Sequence, residues 1–405
     1  MKAKAYNEQR IFNGLVQQAA RRWNKLNLLS AEQVKSITLA YPDDHYAPHL
    51  LTKIALFILT CIGTFGAALF VFLMVGSFSQ YGLQEEQLFI AGSVLCGLGA
   101  FFFLGVVIAN DRLYRSGPDN ALLYLGLSFL VAALWLLYSL VLPGPMQAEG
   151  LIARGLLWQL LLPVWLVLLA AVLRYADPVV ATASLATYLA IVATFTLQFT
   201  LGKALLPFVL MLAAGGSYYT VKHLSRRPDA YYHTSLLTTK VLSIACFYLA
   251  GNYLIVREGN ALLHNLPVST QISFAPLFYF FTAAIPLLYL YTALRRADRI
   301  FLHTGLLTLA FSLYTIRFYR QVLPLEVALT LGGAALILVA GWALRYLRPA
   351  RHGLTSEPAN SPAFAHLNLE ALVTSHLTEH SLKVPERGFQ FGGGSSGGGG
   401  AVGEY

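Results

Sequence analysis

The stretch IALFILTCIGTFGAALFVFLMVG, residues 54–76, decides the fold class of this chain. It contains no charged side chain. A helix needs about 20 apolar residues, at ~1.5 Å each, to cross a ~30 Å hydrocarbon layer, and this stretch is long enough. A surface helix of a soluble protein would show a polar face, which is missing here. The stretch therefore predicts a membrane-spanning α-helix.

Similar stretches recur along the chain, so we predict an all-α, polytopic transmembrane helix bundle with about ten spans. The predicted spans are 54–76, 87–109, 121–142, 151–173, 178–200, 204–221, 236–256, 270–294, 300–318 and 324–347. Asp177-Pro178 and Gly202-Lys203 mark tight connections on either side of the fifth span. The ninth has the shortest apolar core, because His303 and Arg317 interrupt it.

The overall composition points to lipid as the solvent for most of the chain. Of 405 residues, 57% are hydrophobic and 12% are charged, and the mean hydropathy is +0.60. Soluble domains carry roughly 25% charged residues. The net charge of +9 is spread between the apolar runs. That placement suits lipid headgroups rather than nucleic acid, so the lipid bilayer is the expected partner.

The Lys and Arg residues predict the orientation in the membrane. Alternate connections, with the segment after the last span, hold Arg112, Arg115, Arg174, Lys222, Arg226, Arg227, Arg295, Arg296, Arg299, Arg345, Arg348 and Arg351. The other connections hold only Arg154, Lys203, Arg257, Arg317 and Arg320. Because cytoplasmic connections are enriched in Lys and Arg, we expect both termini in the cytoplasm. Lys240, one turn inside the seventh span, is expected to extend to the headgroups.

Small residues predict where helices pack closely. The second span carries Gly92, Cys96 and Ala100 at helical spacing, and the first carries Gly63 and Ala67. Small side chains let helix backbones approach each other in a membrane. We expect packing within the bundle, with dimerisation as the alternative. The three cysteines all fall inside predicted spans, so we expect packing residues rather than disulfides or metal ligands.

Residues 6–41 predict two cytoplasmic helices. An apolar stripe in the first consists of Ile11, Leu15, Ala19, Trp23 and Leu26, and the opposite face of Arg10, Gln17, Arg21 and Lys25. Ser30 and Gln33 form a capping box that begins the second helix, and Pro42 ends it. Two short helices bury too little surface alone. They should form a hairpin on the membrane or on cytoplasmic connections, although a basic helix lying on the membrane surface fits the pattern too.

The run WNKLNLLSAEQVKSI, residues 23–37, followed by many spans, resembles the family called domain of unknown function 2157. The matching stretch covers about residues 10–45. The resemblance implies a bacterial cytoplasmic (inner) membrane protein with a short helical module in the cytoplasm. It implies no known activity and no catalytic residue.

The C-terminal region changes in composition after Pro349. Residues 351–363 are typical of a linker, and 364–382 predict one amphipathic helix. The ending FQFGGGSSGGGGA, residues 389–401, predicts a flexible Gly-rich tail. It resembles the tails of bacterial membrane-anchored proteins of the TPM type, although no TPM domain is present. We therefore divide the chain into a cytoplasmic hairpin (1–50), a transmembrane bundle (51–348) and a cytoplasmic tail (349–405).

The strongest metal motif lies in this tail. His376-Leu-Thr-Glu379-His380 matches the His-x-x-Glu-His pattern of inverted zinc proteases. A hydrolytic site needs a third ligand and a shaped cavity, which one helix beside a glycine tail does not provide. We assign no catalytic residue, no cofactor and no metal ligand to this sequence.

Polar residues within the predicted spans offer few signs of a mechanism. Glu149 with Arg154, and Arg317 and Arg320 with Glu326, are expected to form ion pairs at the outer interface. The deeper polar residues are Gln159, Gln198 and Asn252, and Thr187, Thr194 and Gln198 share one side of the fifth span. Hydrogen bonds between helices would explain them, and a polar translocation path is the alternative. Prolines 163, 207, 276 and 286 are expected to kink or break their helices.

The sequence thus favours a non-enzymatic membrane protein that acts as a scaffold or as a subunit of a membrane complex. Its partners would be other membrane proteins or a second copy of the chain. The alternative is a transporter or channel for a small or lipidic substrate.

Overall fold

The computed structural model describes residues 4–25, 28–43, 45–46, 48–110, 113–226, 229–296 and 298–319, and isolated positions between 327 and 345. The described residues form the predicted all-α bundle and contain no β-strand. Their only β-type pairing is an isolated bridge between Tyr46 and Leu113. Apart from those isolated positions, the tenth predicted span lies outside the described residues. So does the whole tail, including His376, Glu379 and His380.

The described residues contain thirteen α-helices. They are α1 Glu8–Lys25, α2 Ala31–Ala40, α3 Leu50–Gly76, α4 Glu85–Asn110, α5 Pro118–Leu136, α6 Ala148–Ala153, α7 Trp158–Tyr175, α8 Pro178–Thr196, α9 Gly202–Leu224, α10 His233–Gly251, α11 Tyr253–Leu263, α12 Ala275–Arg296 and α13 Arg299–Tyr319. Nine of those described are long and apolar enough to cross a membrane, namely α3, α4, α5, α7, α8, α9, α10, α12 and α13. They correspond in order to the first nine predicted spans, so the multipass fold is confirmed.

The fourth and seventh spans are shorter than predicted because the backbone leaves the helical conformation inside each predicted stretch. The fourth begins at Trp158, after the short helix α6 and a turn at Gly155, where φ is +72°. The seventh ends at Gly251, because Asn252 leaves the helical conformation and starts α11. Hydropathy misses both turns because apolar residues lie on either side of each.

The prolines do not end their helices. Helices α7, α9 and α12 continue through Pro163, Pro207 and Pro286. Pro276 is the second residue of α12, where a backbone N–H has no partner within the helix. Pro178 starts α8 in the same way, and Asp177 before it accepts hydrogen bonds from the first turn.

Helix α4 packs closely on its neighbours, as its small residues predict. A Cβ atom at Gly92 would lie 2.7 Å from the ring of Phe72 in α3, and one at Gly97 would lie 2.9 Å from Leu130 in α5. The described residues do not show close packing at Gly63 of α3. Among the described residues, a Cβ atom there would meet no heavy atom within 4 Å.

The predicted N-terminal hairpin is present. The Ser30–Gln33 capping box forms at the start of α2, and the side-chain amide of Asn13 donates to the carbonyl of Pro42 over 2.9 Å. Gln17, which we predicted on the polar face, is 8% exposed. Its amide donates to the carbonyl of Tyr41 over 2.7 Å, because the end of α2 covers that side of α1.

Candidate functional site

At one end of the bundle the N-terminal segment contacts three connections between spans. The backbone N–H of Ala5 donates to the carbonyl of Arg174 over 2.9 Å, in the last turn of α7 beside the α7–α8 connection. Lys4 forms an ion pair of 2.8 Å with Asp229, between α9 and α10. The hydroxyl of Tyr6 donates to Asp119 over 3.0 Å, beside the α4–α5 connection. We call these six residues the N-terminal junction. It shows that the hairpin rests on connections between spans, in a region predicted to be rich in Lys and Arg.

Asp119 is the anchor of the junction. It is fully buried and accepts hydrogen bonds from the backbone N–H groups of Arg115, Ser116 and Gly117. The Ser116 hydroxyl and Tyr6 complete the set. A carboxylate in the first turn of α5 also faces the positive end of the helix dipole. Burial, with the nearby Asp119, raises the pKa of Tyr6 well above its ordinary value. Because every one of these groups has a partner, the junction is a structural anchor.

At this end of the bundle, the prediction that Lys240 extends to the headgroups is wrong. Its ammonium group lies 2.9 Å from a carboxylate oxygen of Asp298, and the two side chains are only 18% and 25% exposed. Lys240 therefore joins α10 to the start of α13 and does not extend to the headgroups. Sequence pattern misses the pair because Lys240 lies within α10, whereas Asp298 lies 58 positions later, in the connection before α13.

The polar side of α8 is engaged by the protein itself. The hydroxyls of Thr187 and Thr194 donate over 2.8 Å to the carbonyls of Ala183 and Ala190, one turn earlier in the same helix. The amide of Gln198 lies 3.4 Å from the carbonyl of Gly155. The two threonine hydroxyls are thus bonded within their own helix, and Gln198 lies at its exposed end.

The ion pair predicted between Glu149 and Arg154 is wrong. The Arg154 side chain donates instead to the carbonyl of Gly150 over 3.1 Å, at the end of α6. Arg317 and Arg320 were expected to pair with Glu326, and both Arg320 and Glu326 lie outside the described residues.

At the opposite end of the bundle, Asn252 separates α10 from α11. It is fully buried, and its side-chain oxygen accepts from the backbone N–H of Leu254 over 3.0 Å. Its amide donates to the hydroxyl of Tyr248 over 2.8 Å and to that of Thr315 over 3.1 Å. Asn252 thus makes the expected bond between helices and also redirects the chain into α11.

Arg257 holds α11 against the α11–α12 connection and against α13. Its guanidinium donates to the carbonyl of Ser269 over 2.7 Å and lies 4.4 Å from the ring centre of Tyr319 in α13. The Tyr319 hydroxyl donates to Glu258 over 2.6 Å. That hydrogen bond is the main reason why the pKa of Glu258 is below its ordinary value.

A cavity of about 630 Å³ opens between α9, α11 and the connection 264–273, and we call it the outer cavity. Polar side chains line one part of it, among them Lys203, Asn260, His264 and Gln271. Apolar side chains line the rest, among them Leu206, Leu210, Ile255 and Phe278. The sequence did not reveal this cavity, because α11 forms one wall and its first residues, 253–256, were predicted to continue the seventh span. The Gly251-Asn252 pair was the available signal for a break.

Among the described residues, no three His, Cys, Asp or Glu side chains are grouped so that they could hold a metal ion. Comparisons of the chain with protein-family models, with curated proteins and with solved structures give no match. The nine apolar helices nevertheless make this a multipass membrane protein.

Proposed function

We propose that the protein resides in a bacterial cytoplasmic membrane with the N-terminal junction on the cytoplasmic side. The bias of Lys and Arg towards alternate connections supports this orientation, as does the meeting of three of those connections at the N-terminal segment. The resemblance of residues 23–37 supports the bacterial membrane. A fluorescent protein fused before the N-terminus should fluoresce in the cytoplasm. Fluorescence located only on the outer side of the membrane would contradict the proposal.

The function that the geometry supports best is that of a non-enzymatic scaffold or subunit of a membrane complex. The N-terminal junction carries this proposal, because it ties the soluble hairpin to the bundle through buried contacts. A partner that binds the hairpin is then held in a defined position relative to the membrane spans. The polar groups of the junction are already bonded to one another, which suits a structural role.

Purification in a mild detergent tests this function. The wild-type protein should elute with a stable partner or as a homo-oligomer. Purification of a Tyr6→Phe variant should recover less of the partner, because loss of the hydroxyl loosens the junction. Tyr219, whose side chain is 70% exposed, provides the control, and Tyr219→Phe should recover as much partner as the wild type. A monomer with a robust enzymatic activity of its own would contradict the proposal.

A transporter or channel for a small or lipidic substrate is the second candidate, and the outer cavity favours it. The polar side of α8 contributes less to this idea, because its threonine hydroxyls are bonded to their own helix. Uptake into proteoliposomes tests it over a panel of substrates. If the cavity is the entry site, Leu210→Trp should block uptake, and joint replacement of Thr194 and Gln198 by Leu should not. No uptake by the wild type would remove this candidate.

A further inference from the structure

We propose that the outer cavity binds an amphiphile that has an anionic head group and a single apolar chain. This deepens the second candidate function by naming its substrate class. Binding is nevertheless a separate property, and it stands even if the molecule is not moved across the membrane.

The polar side chains that line the outer cavity favour an anionic ligand. The ammonium group of Lys203 lies 3.1 Å from the carbonyl of Leu263, and a lysine ammonium has three protons to donate. His264 lies beside it, with Nδ1 2.9 Å from the carbonyl of Asn260, which makes Nδ1 the donor in that contact. The described residues that line the cavity include neither Asp nor Glu. A carboxylate or phosphate at this end would therefore meet donors and no fixed negative charge.

The apolar side chains that line the deeper part of the cavity favour a ligand with an apolar chain. Leu206 and Leu210 are four residues apart and so lie on one face of α9. Leu210 is seven positions beyond Lys203, which places it about 10 Å further along the helix at ~1.5 Å per residue. Ile255 and Phe278 complete an apolar wall around this deeper part. The cavity is thus polar at one end and apolar at the other, as an amphiphile is.

The size and position of the cavity fit a small ligand at a membrane surface. A volume of about 630 Å³ is within the range of roughly 300–1,000 Å³ that is typical of small-molecule sites. Helix α9 runs from Gly202 beside the cavity to Leu224, close in sequence to the junction residue Asp229. Its length of about 34 Å, at ~1.5 Å per residue, spans the hydrocarbon layer. The cavity therefore lies at the opposite surface from the N-terminal junction.

The chemistry of the site fits both a lipid of that leaflet and a free fatty acid, and direct binding measurements separate them. The full-length protein in nanodiscs of phosphatidylcholine is titrated with lauroyl-lysophosphatidylglycerol, dodecanoate, uncharged monolaurin and glycerol 3-phosphate. We expect an anionic, chain-bearing probe to bind at least ten times more tightly than monolaurin or glycerol 3-phosphate. Tighter binding of the lysolipid would identify a lipid, and tighter binding of dodecanoate a fatty acid. Equal binding of monolaurin, or of glycerol 3-phosphate, would overturn the proposal.

Variants of the lining residues test whether the ligand binds in the outer cavity. Leu210→Trp, which fills the apolar part, should weaken binding of the preferred probe at least tenfold, and Leu212→Trp on the exposed side of α9 should not. Lys203→Gln should weaken the anionic probe and leave monolaurin unchanged, with Arg154→Gln as the control for loss of an exposed positive charge. Unaltered binding in both Leu210→Trp and Lys203→Gln would overturn the site. If binding holds and no uptake is measured, only the transport function fails.

Discussion

The hydroxyl of Tyr6 donates a hydrogen bond of 3.0 Å to Asp119, which lies 113 positions further along the chain. Tyr6 precedes α1, and Asp119 is in the first turn of a membrane-spanning helix. Tyr6 and Ile11 also share a hydrophobic core with Leu104 and Leu123 of the bundle. The N-terminal hairpin and the membrane-spanning helices are therefore packed together.

Loss of the Tyr6 hydroxyl should destabilise the protein. We expect Tyr6→Phe to lower the free energy of unfolding by about 1–3 kcal/mol, because the buried Asp119 carboxylate loses a donor. Thermal unfolding of the purified protein in detergent measures the change. Tyr219→Phe, at an exposed position, should leave the midpoint unchanged. Equal midpoints for Tyr6→Phe and wild type would show that this bond contributes nothing.

Replacement of the Asp119 carboxylate should cost more. Three backbone N–H groups and two hydroxyls donate to the two carboxylate oxygens of Asp119, and Asp119→Asn replaces one of these oxygens by an NH2 group that cannot accept, so we expect a loss of roughly 2–4 kcal/mol. The double variant with Tyr6→Phe should lose less than the sum of the two single losses, because the two residues contact each other. Strict additivity in that cycle would argue against the contact. Glu32→Gln, on the exposed surface of α2, serves as the control.

The ion pair between Lys240 and Asp298 can be tested without disturbing the start of α13. Asp298→Asn removes the charge and keeps an acceptor for the N–H of Ile300. Since both side chains are mostly buried, we expect a loss of about 1–2 kcal/mol, more than for an exposed pair. Lys240→Gln should cost a similar amount. If Lys240 instead extended to the headgroups, Asp298→Asn would have no effect on the unfolding midpoint.

Local patterns predicted the fold well. Hydropathy located the nine described spans, because apolar runs of about 20 residues are long enough to cross the hydrocarbon layer and are typical of membrane-spanning helices. The Ser30–Gln33 capping box was predicted because its two residues are three positions apart and act on the same helix end. The small residues of α4 likewise predicted close packing.

Contacts between distant residues were not predictable. The bond from Tyr6 to Asp119 and the ion pair from Lys240 to Asp298 follow from how the helices pack, and one sequence has no local pattern that encodes this. The break at Asn252 was missed for a different reason. Tyr253 to Val256 continue the apolar run, so hydropathy does not distinguish a new helix from the same one. The outer cavity depends on that break and was missed with it.

Asn252 should be needed for both stability and the outer cavity. Asn252→Leu removes the cap of α11 and the partner of the Tyr248 and Thr315 hydroxyls. We expect a loss of about 2–4 kcal/mol in thermal unfolding, from the lost cap and the unpaired hydroxyls. Binding of the anionic amphiphile should weaken as well, since α11 forms a wall of the cavity. Asn110→Leu, at the exposed end of α4, should change neither property, and an unaffected Asn252→Leu protein would contradict this role.

The Glu258 carboxylate should contribute to stability in a pH-dependent way. The hydrogen bond from Tyr319 lowers the pKa of Glu258 below its ordinary 4.5. A group whose pKa is lowered by folding contributes stability above its unfolded pKa, and the contribution is lost as the pH falls through the folded pKa. The stability difference between wild type and Glu258→Gln should therefore be present at about pH 7 and shrink at about pH 3. A difference that does not depend on pH would contradict the assignment.

Labelling of single cysteines in intact cells tests the central claim most directly, namely that the N-terminal junction and the outer cavity lie on opposite sides of the membrane. The native cysteines are first replaced, and one cysteine is then introduced at Glu8 or Ser225, near the junction, or at Gln84 or Arg154, at the other end. A membrane-impermeant maleimide should label positions 84 and 154 in intact cells and positions 8 and 225 only after the membrane is opened. Labelling of 8 or 225 in intact cells, or protection of 84 and 154, would contradict the account.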